Sequence, residues 1–398
     1  MESYKDAKNF LSKIKIGWNL GNYLDCNNKD IKIRMSKSKS VEEVVSLWHN
    51  PIFNLKCFDS LLKYGINSVR LPVSWCNFIE YKNGKYIINN EIFDKLKEII
   101  NYALNLNFII ILNVHHDDKN WLSLSCNESD FIEVKNEFKQ VWEQISYEFK
   151  DFSYNLIFEG MNEVIKITDK EDWVGSEFYY NRLNELYEIF ITTVRKTGGK
   201  NADRFLMITP YGAQIHKFAL KGFKLPKDNN LIVDVHFYGK TDDKNVYIEY
   251  FSYLKQHFID KNIPLIVGEI GLKKEYKDNF EYLKVLLNYM KELNLKVYLW
   301  DNGSSRKFID RETGLIEHQK EFMNYIKKNI KGKYDMNNLI KKNAIDKLIM
   351  LASNGKLDKN DFTIEEKDYL INCINLFQFL ISYPEVKDEK TFDLLSRS

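Results

Sequence analysis

Asn155-Leu156-Ile157-Phe158-Glu159-Gly160-Met161-Asn162-Glu163 is an apolar run that closes on an amide and a carboxylate. Read as a strand, it carries a charge to a place where burial makes charge costly, so the acid needs a reason. A second run, Pro264-Leu265-Ile266-Val267-Gly268-Glu269, ends the same way. The fold must therefore bring two acidic strand ends to one place.

The pattern repeats outward from these two runs. Apolar strands are predicted at 14–22, 66–72, 108–114, 155–163, 204–208, 231–238, 264–269 and 296–301. Stretches of helical spacing lie between and after them, at 53–64, 92–106, 129–150, 177–197, 247–260, 280–293 and 317–330. Gly65 and Gly198-Gly199 stop two of these helices, and Asn83-Gly84 marks a surface hairpin. Phe108 to Val114 is apolar throughout, as a parallel strand buried on both faces must be. About eight strand–helix alternations with short links predict an α/β fold, a (β/α)8 TIM barrel. An open doubly wound sheet is the alternative, disfavoured because no GxGxxG or Walker loop follows an early strand.

The barrel is expected to occupy residues 1–331. Residues 332–398 read as a helical C-terminal appendage, with helices at 348–351 and 369–380 around the turn 354–361. That turn resembles a calcium loop only faintly, since no twelve-residue frame has the required ligands. Net charge is +2, too small to suggest nucleic acid or an anionic membrane as partner. No apolar run is long enough to span a bilayer. The polar start, Met1 to Asp6, lacks a signal-peptide core, so the expectation is a cytosolic chain, or a secreted one trimmed of its signal. Five cysteines, none in CxxC spacing, are expected as free thiols. A monomer is expected.

In such a barrel the reactive groups sit at the C-terminal ends of strands. Those ends here carry Asn19 and Asn22, Arg70, His115 and His116, Asn162 and Glu163, His236 and Tyr238, Glu269, and Trp300 with Asp301. Nearly every strand end is polar or aromatic while the strand bodies are apolar. Two carboxylates on two strand ends are the minimum for cleaving a glycosidic bond. The chain's 24 Tyr, 26 Phe and 7 Trp could supply flat rings to stack on sugar faces, although packing accounts for most of them.

The segments Gly17-Trp18-Asn19-Leu20-Gly21-Asn22, Asn67-Ser68-Val69-Arg70-Leu71-Pro72, Leu112-Asn113-Val114-His115-His116, Phe158 to Glu163, Val235-His236-Phe237-Tyr238, Val267-Gly268-Glu269 and Leu299-Trp300-Asp301 closely resemble glycoside hydrolase family 5. The likeness is strongest to the branch of clostridial endoglucanases and xyloglucanases. It spans residues 14–303 and leaves out the tail. It implies a retaining endo-β-1,4-glycanase acting on cellulose-like chains, mixed-linkage glucan or xyloglucan. A β-mannanase or an exo-acting β-glucosidase is the runner-up, and a non-catalytic glycan-binding barrel the reading from a different class.

The resemblance also implies roles. Glu163 is the general acid/base and Glu269 the nucleophile. Arg70 keeps Glu269 ionised, Tyr238 hydrogen-bonds it, and Asn162 binds the sugar 2-hydroxyl. His115 and His236 hold the sugar at the cleavage point and tune the acid, with His116 serving it indirectly. Trp300 is the stacking floor, and Asn19 and Asn22 either bind sugar or cap the first turn. No cofactor or metal is expected, since neighbours on a strand such as His115 and His116 face opposite ways. Glu159, four residues deeper than Glu163, is expected to be structural. Trp48, Trp75, Trp121 and Trp173 are candidates for further stacking. Two departures from the family pattern, Val164 for the usual Pro and Gly239-Lys240-Thr241 after the His-x-Tyr element, fall in loops bordering the cleft.

Overall fold

The computed structural model of the chain describes residues 5–27, 38–168, 170–215, 217–239, 244–272, 280–316 and 320–329, with Lys367 and Leu370. The chain divides into two compact units, Met1–Lys331 and Gly332–Ser398. Apart from Leu370, the helices and turn expected in the tail lie outside the described residues.

Eight parallel strands form a closed barrel: β1 Gly17–Leu20, β2 Ser68–Leu71, β3 Ile109–Asn113, β4 Leu156–Glu159, β5 Leu206–Ile208, β6 Leu231–Gly239, β7 Leu265–Leu272 and β8 Lys296–Asp301. Their order around the barrel is β1-β8-β7-β6-β5-β4-β3-β2, so each strand pairs with its sequence neighbours. The TIM barrel expected from the alternation is the fold observed. The crossover helices include Cys57–Lys63, Asn90–Asn105, Glu128–Glu148, Glu177–Lys196, Phe280–Glu292 and Lys320–Asn329. Asn89 and Asn127 cap the second and third of these through their side chains. No helix among the described residues is long and apolar enough to cross a membrane. The hairpin pairs Ile79–Lys82 with Lys85–Ile88, and Asn83 and Gly84 both take positive φ, as a two-residue primed turn requires.

Two boundaries differ from the sequence reading in ways that matter. β4 ends at Glu159, so Asn162 and Glu163 stand on the loop beyond it; the Asn162 N–H still donates to Val114 O at 2.9 Å. β7 does not stop at Glu269 but runs on to Leu272, with an irregularity in its middle.

The lumen is layered. At its N-terminal end Ile109, Ile111, Ile157, Met207, Ile232 and Ile266 form an apolar floor. The helix Lys5–Ser12, outside the expected elements, adds Ala7, Phe10 and Leu11 to that floor, and Phe10 stacks on Phe205 at 4.5 Å. Above the floor the buried side chains turn polar: Asn19, Arg70, Asn113, Glu159, Asp234 and Glu269. Tyr298 crosses near this boundary, its hydroxyl 2.6 Å from Ser68 Oγ. Gly17 makes room for it, since a Cβ there would lie 2.0 Å from the ring. The apolar layer secures the barrel and leaves the upper layer to chemistry.

Candidate active site

Arg70 is the centre of the polar layer. It is fully buried on β2, and burial alone would lower its pKa, but the charges of Glu159 and Glu269 and the hydrogen bonds to Glu159 hold it well above the usual arginine value. Its Nε and Nη2 grip the two Glu159 oxygens at 2.6 and 2.7 Å. This fork fixes the guanidinium plane. Nη1 is thereby aimed at Glu269 Oε1 at 2.7 Å and Nη2 at Asn162 Oδ1 at 2.7 Å. Glu159 is thus structural, as expected: it orients the cation that serves its neighbours.

Glu269 also accepts a hydrogen bond from the Tyr238 hydroxyl at 2.5 Å. Burial raises its pKa, helped by the charge of Glu163 and opposed by His236, Arg70 and Tyr238. On the opposite side, His236 Nδ1 lies 2.6 Å from Glu163 Oε1 and 3.7 Å from Glu269 Oε1. One oxygen of each carboxylate and a ring nitrogen of His236 all lie within 4.8 Å of one another. Burial would lower the His236 pKa, but Glu269, Asp234 and Glu163 surround it and raise it well above the ordinary value. Burial likewise pushes Glu163 up, yet the hydrogen bond and charge of His236 hold it below the usual carboxylate range. The directions of the two shifts favour an imidazolium facing a carboxylate across this short contact.

His115 and His116 do not diverge as expected. β3 ends at Asn113, the alternation lapses, and the two rings meet edge to face with centroids 4.3 Å apart. Both Nε2 atoms approach Asp25 Oδ2, at 3.8 and 3.9 Å. Burial holds both imidazoles neutral, His116 with its pKa lowered to about 4, while it raises Asp25 to about 6. These three side chains, of which the sequence reading kept the two histidines apart, are close enough to share an ion. His115 also lies parallel to Trp300, with centroids 5.7 Å apart and planes 8° apart.

The remaining expected residues separate by burial. Asn162 is buried beside Arg70, and its Oδ1 accepts from Arg70 Nη2. Asn19 differs from the sugar-binding expectation: it is fully buried, both amide hydrogens go to Gly268 O and Leu299 O, and its oxygen accepts from Arg70. Asn22 takes positive φ at the turn after β1, and its carbonyl accepts from Asn50. Trp75 and Trp121 are core residues whose indoles bond to Asn113 O and Asp117. Trp48 is half-buried beside His116, and Trp173 is exposed on the loop after β4.

The family model for cellulase (glycosyl hydrolase family 5) matches residues 24–306. The chain belongs to glycoside hydrolase family 5. Among its relatives, Endoglucanase 1 of Ruminococcus albus is 34% identical over 312 residues, covering 74% of this chain and 73% of the relative. Endoglucanase B of the same organism is 33% identical over 334 residues, covering 79% and 76%. Two solved structures superpose with TM-scores of 0.73 at 28% identity and cover 81% of this chain. One is a xyloglucan-specific endo-β-1,4-glucanase from a metagenomic library and the other a broad-specificity endoglucanase of Ruminococcus champanellensis. Each holds cellotriose, and 99% and 98% of their chains are covered. This family 5 member is thus a glycoside hydrolase of the cellulase type.

Two buried acids of the site escaped the sequence reading. Asp234 had a signal: it shares strand parity with His236 and Tyr238, so all three point inward. Asp25, in the loop after β1, had none.

Proposed function

We propose that the chain is a retaining endo-β-1,4-glucanase in which Glu269 is the nucleophile and Glu163 the acid/base. The observation that carries this reading is the approach of the two carboxylates to within 4.8 Å, oxygen to oxygen, with different surroundings. Retaining enzymes hold their carboxyl groups ~5–5.5 Å apart, whereas inverting ones leave room for a water between. Of the two carboxylates, Glu269 is the one that accepts from Arg70 and Tyr238, while His236 lies against Glu163.

Catalysis then runs in two steps. A glucan chain laid across the site displaces water and makes the Glu163–His236 ion pair costlier. The proton crosses from Nδ1 to Glu163, which passes it to the glycosidic oxygen as the C1–O bond breaks and a Glu269–C1 bond forms. Glu163, now a carboxylate, takes a proton from water, and the hydroxyl that remains attacks C1 and frees Glu269. Asn162 Nδ2 meets the 2-hydroxyl, and Trp300, held by His115, forms the floor. All of these residues fall within 1–331, the expected catalytic domain, and the chemistry draws on one subunit.

The glucan backbone is assigned by kinship with relatives named endoglucanases and with structures holding cellotriose. A polysaccharide panel with a reducing-end readout tests it, and a product ladder from a cello-oligosaccharide tests endo action; monomer alone would reject it. Glu269→Gln should abolish turnover on every substrate. Glu163→Gln should spare aryl cellobiosides with good leaving groups, which need no proton. Equal losses for both variants on both substrates would reverse the assignment.

A further inference from the structure

β7 carries one residue more than β6 needs where the two strands pass the site. Val235 pairs with Val267, but His236 pairs with Glu269, so Gly268 is the extra residue of a bulge. The bulge brings Glu269 level with His236. It also frees a backbone N–H, and Asp234 Oδ1 accepts it at 2.6 Å. Asp234 is fully buried on β6. Its other oxygen, Oδ2, faces His236 Nε2 at 3.4 Å, and neither atom has a hydrogen-bond partner among the described residues.

We propose that Asp234 is a positioning residue for both catalytic carboxylates, aiming Glu269 through the Gly268 bulge and fixing the proton of His236 that serves Glu163. The proposal rests on the acid/base reading above. A carboxylate opposite Nε2 requires Nε2 to carry hydrogen, since a bare nitrogen would face a bare oxygen. The exchangeable proton is then confined to Nδ1 and to its short bond with Glu163. One side chain thus orders the nucleophile with one oxygen and the acid with the other.

The groups that face His236 are Glu163 on the loop after β4, Glu269 on β7 and Asp234 on its own strand. Glu159 of β4 also lies close, and Arg70 of β2 and His115 of the loop after β3 act on this cluster through their charges or rings. Removing the Asp234 charge therefore lowers the protonation of the Glu163–His236 pair and of Glu269 alike.

Asp234→Asn keeps an oxygen for the Gly268 N–H but presents an amide donor to Nε2, which pins the imidazole as the neutral Nδ1–H form. The pH dependence of kcat/KM would be measured for the full-length wild type and this variant on soluble β-glucan and on an activated aryl cellobioside. On β-glucan the alkaline limb should move to lower pH by at least about one unit, while the aryl substrate at the same pH loses less. Asp234→Ala, which also drops the Gly268 contact, should lose activity on both substrates. Profiles of Asp234→Asn that superimpose on wild type, or that fall equally on both substrates with no shift of the limb, would overturn the proposal. Glu163→Gln in the same assays reports the underlying reading separately: if it fails to spare the aryl substrate, the acid/base assignment is at fault and not the role of Asp234.

Discussion

Gly268→Ala probes how the nucleophile is aimed. A Cβ on Gly268 would lie 2.2 Å from Asp234 Oδ2 and 2.6 Å from its Cγ. Real Cβ atoms essentially never come closer than 3.0 Å, so at least 0.8 Å (3.0 − 2.2) must open. Asp234 cannot turn aside freely, because it is fully buried and its Oδ1 holds the Gly268 N–H at 2.6 Å. The displacement therefore falls on β7, and Glu269 is the next residue along. A misplacement of ~1 Å in a reacting group costs ~100-fold in rate, equivalent to about 2.7 kcal/mol of barrier. Overpacking adds about 1–3 kcal/mol of lost stability. The assay is kcat and KM on an aryl cellobioside and on soluble β-glucan, with thermal unfolding to establish that the variant is folded. The expected result is a fall in kcat of ~100-fold on both substrates with KM little changed. A folded Gly268→Ala enzyme with kcat within a few-fold of wild type would refute the argument that the bulge aims Glu269.

The other expectations concern pH. Tyr238 donates to the ionised form of Glu269 and so lowers its pKa; Tyr238→Phe should shift the acid limb of kcat/KM upward by ~1 unit and lower kcat by ~10-fold. An acid limb that stays in place would separate Tyr238 from the nucleophile. Asp118 is buried, and burial raises its pKa from 3.8 to about 7. Between those values the folded chain holds a proton that the unfolded chain has released, so wild-type stability falls as pH rises through this window. Asp118→Asn has no proton to lose. Its stability advantage should be absent below pH ~4 and grow to at most about 4 kcal/mol above pH ~7. Denaturant melts at the two ends of the window check this, and an advantage equal at both would show that the change is one of packing and not of charge.

The alternation of apolar strands with helical spacing determined the barrel, because strand and helix periods differ and eight repeats with short right-handed links close on themselves. The polar strand ends gave Arg70, Glu163, His236, Tyr238 and Glu269, because side chains at the C-terminal rim of such a barrel converge from every strand. Only the tertiary structure decided how they divide the work. Whether His115 and His116 diverge or meet depends on where β3 stops, and no residue of that run announces it. Asn19 reads as a free rim amide in the sequence, yet closure of β1 against β8 and β7 uses up its donors. The fork of Glu159 on Arg70, the extra residue at Gly268 and the proton between His236 and Glu163 each depend on atoms from strands far apart in the chain. A strand's own periodicity fixes which way its side chains point, but the charge state and aim of a buried group are set by whatever the other strands place within a few ångströms of it.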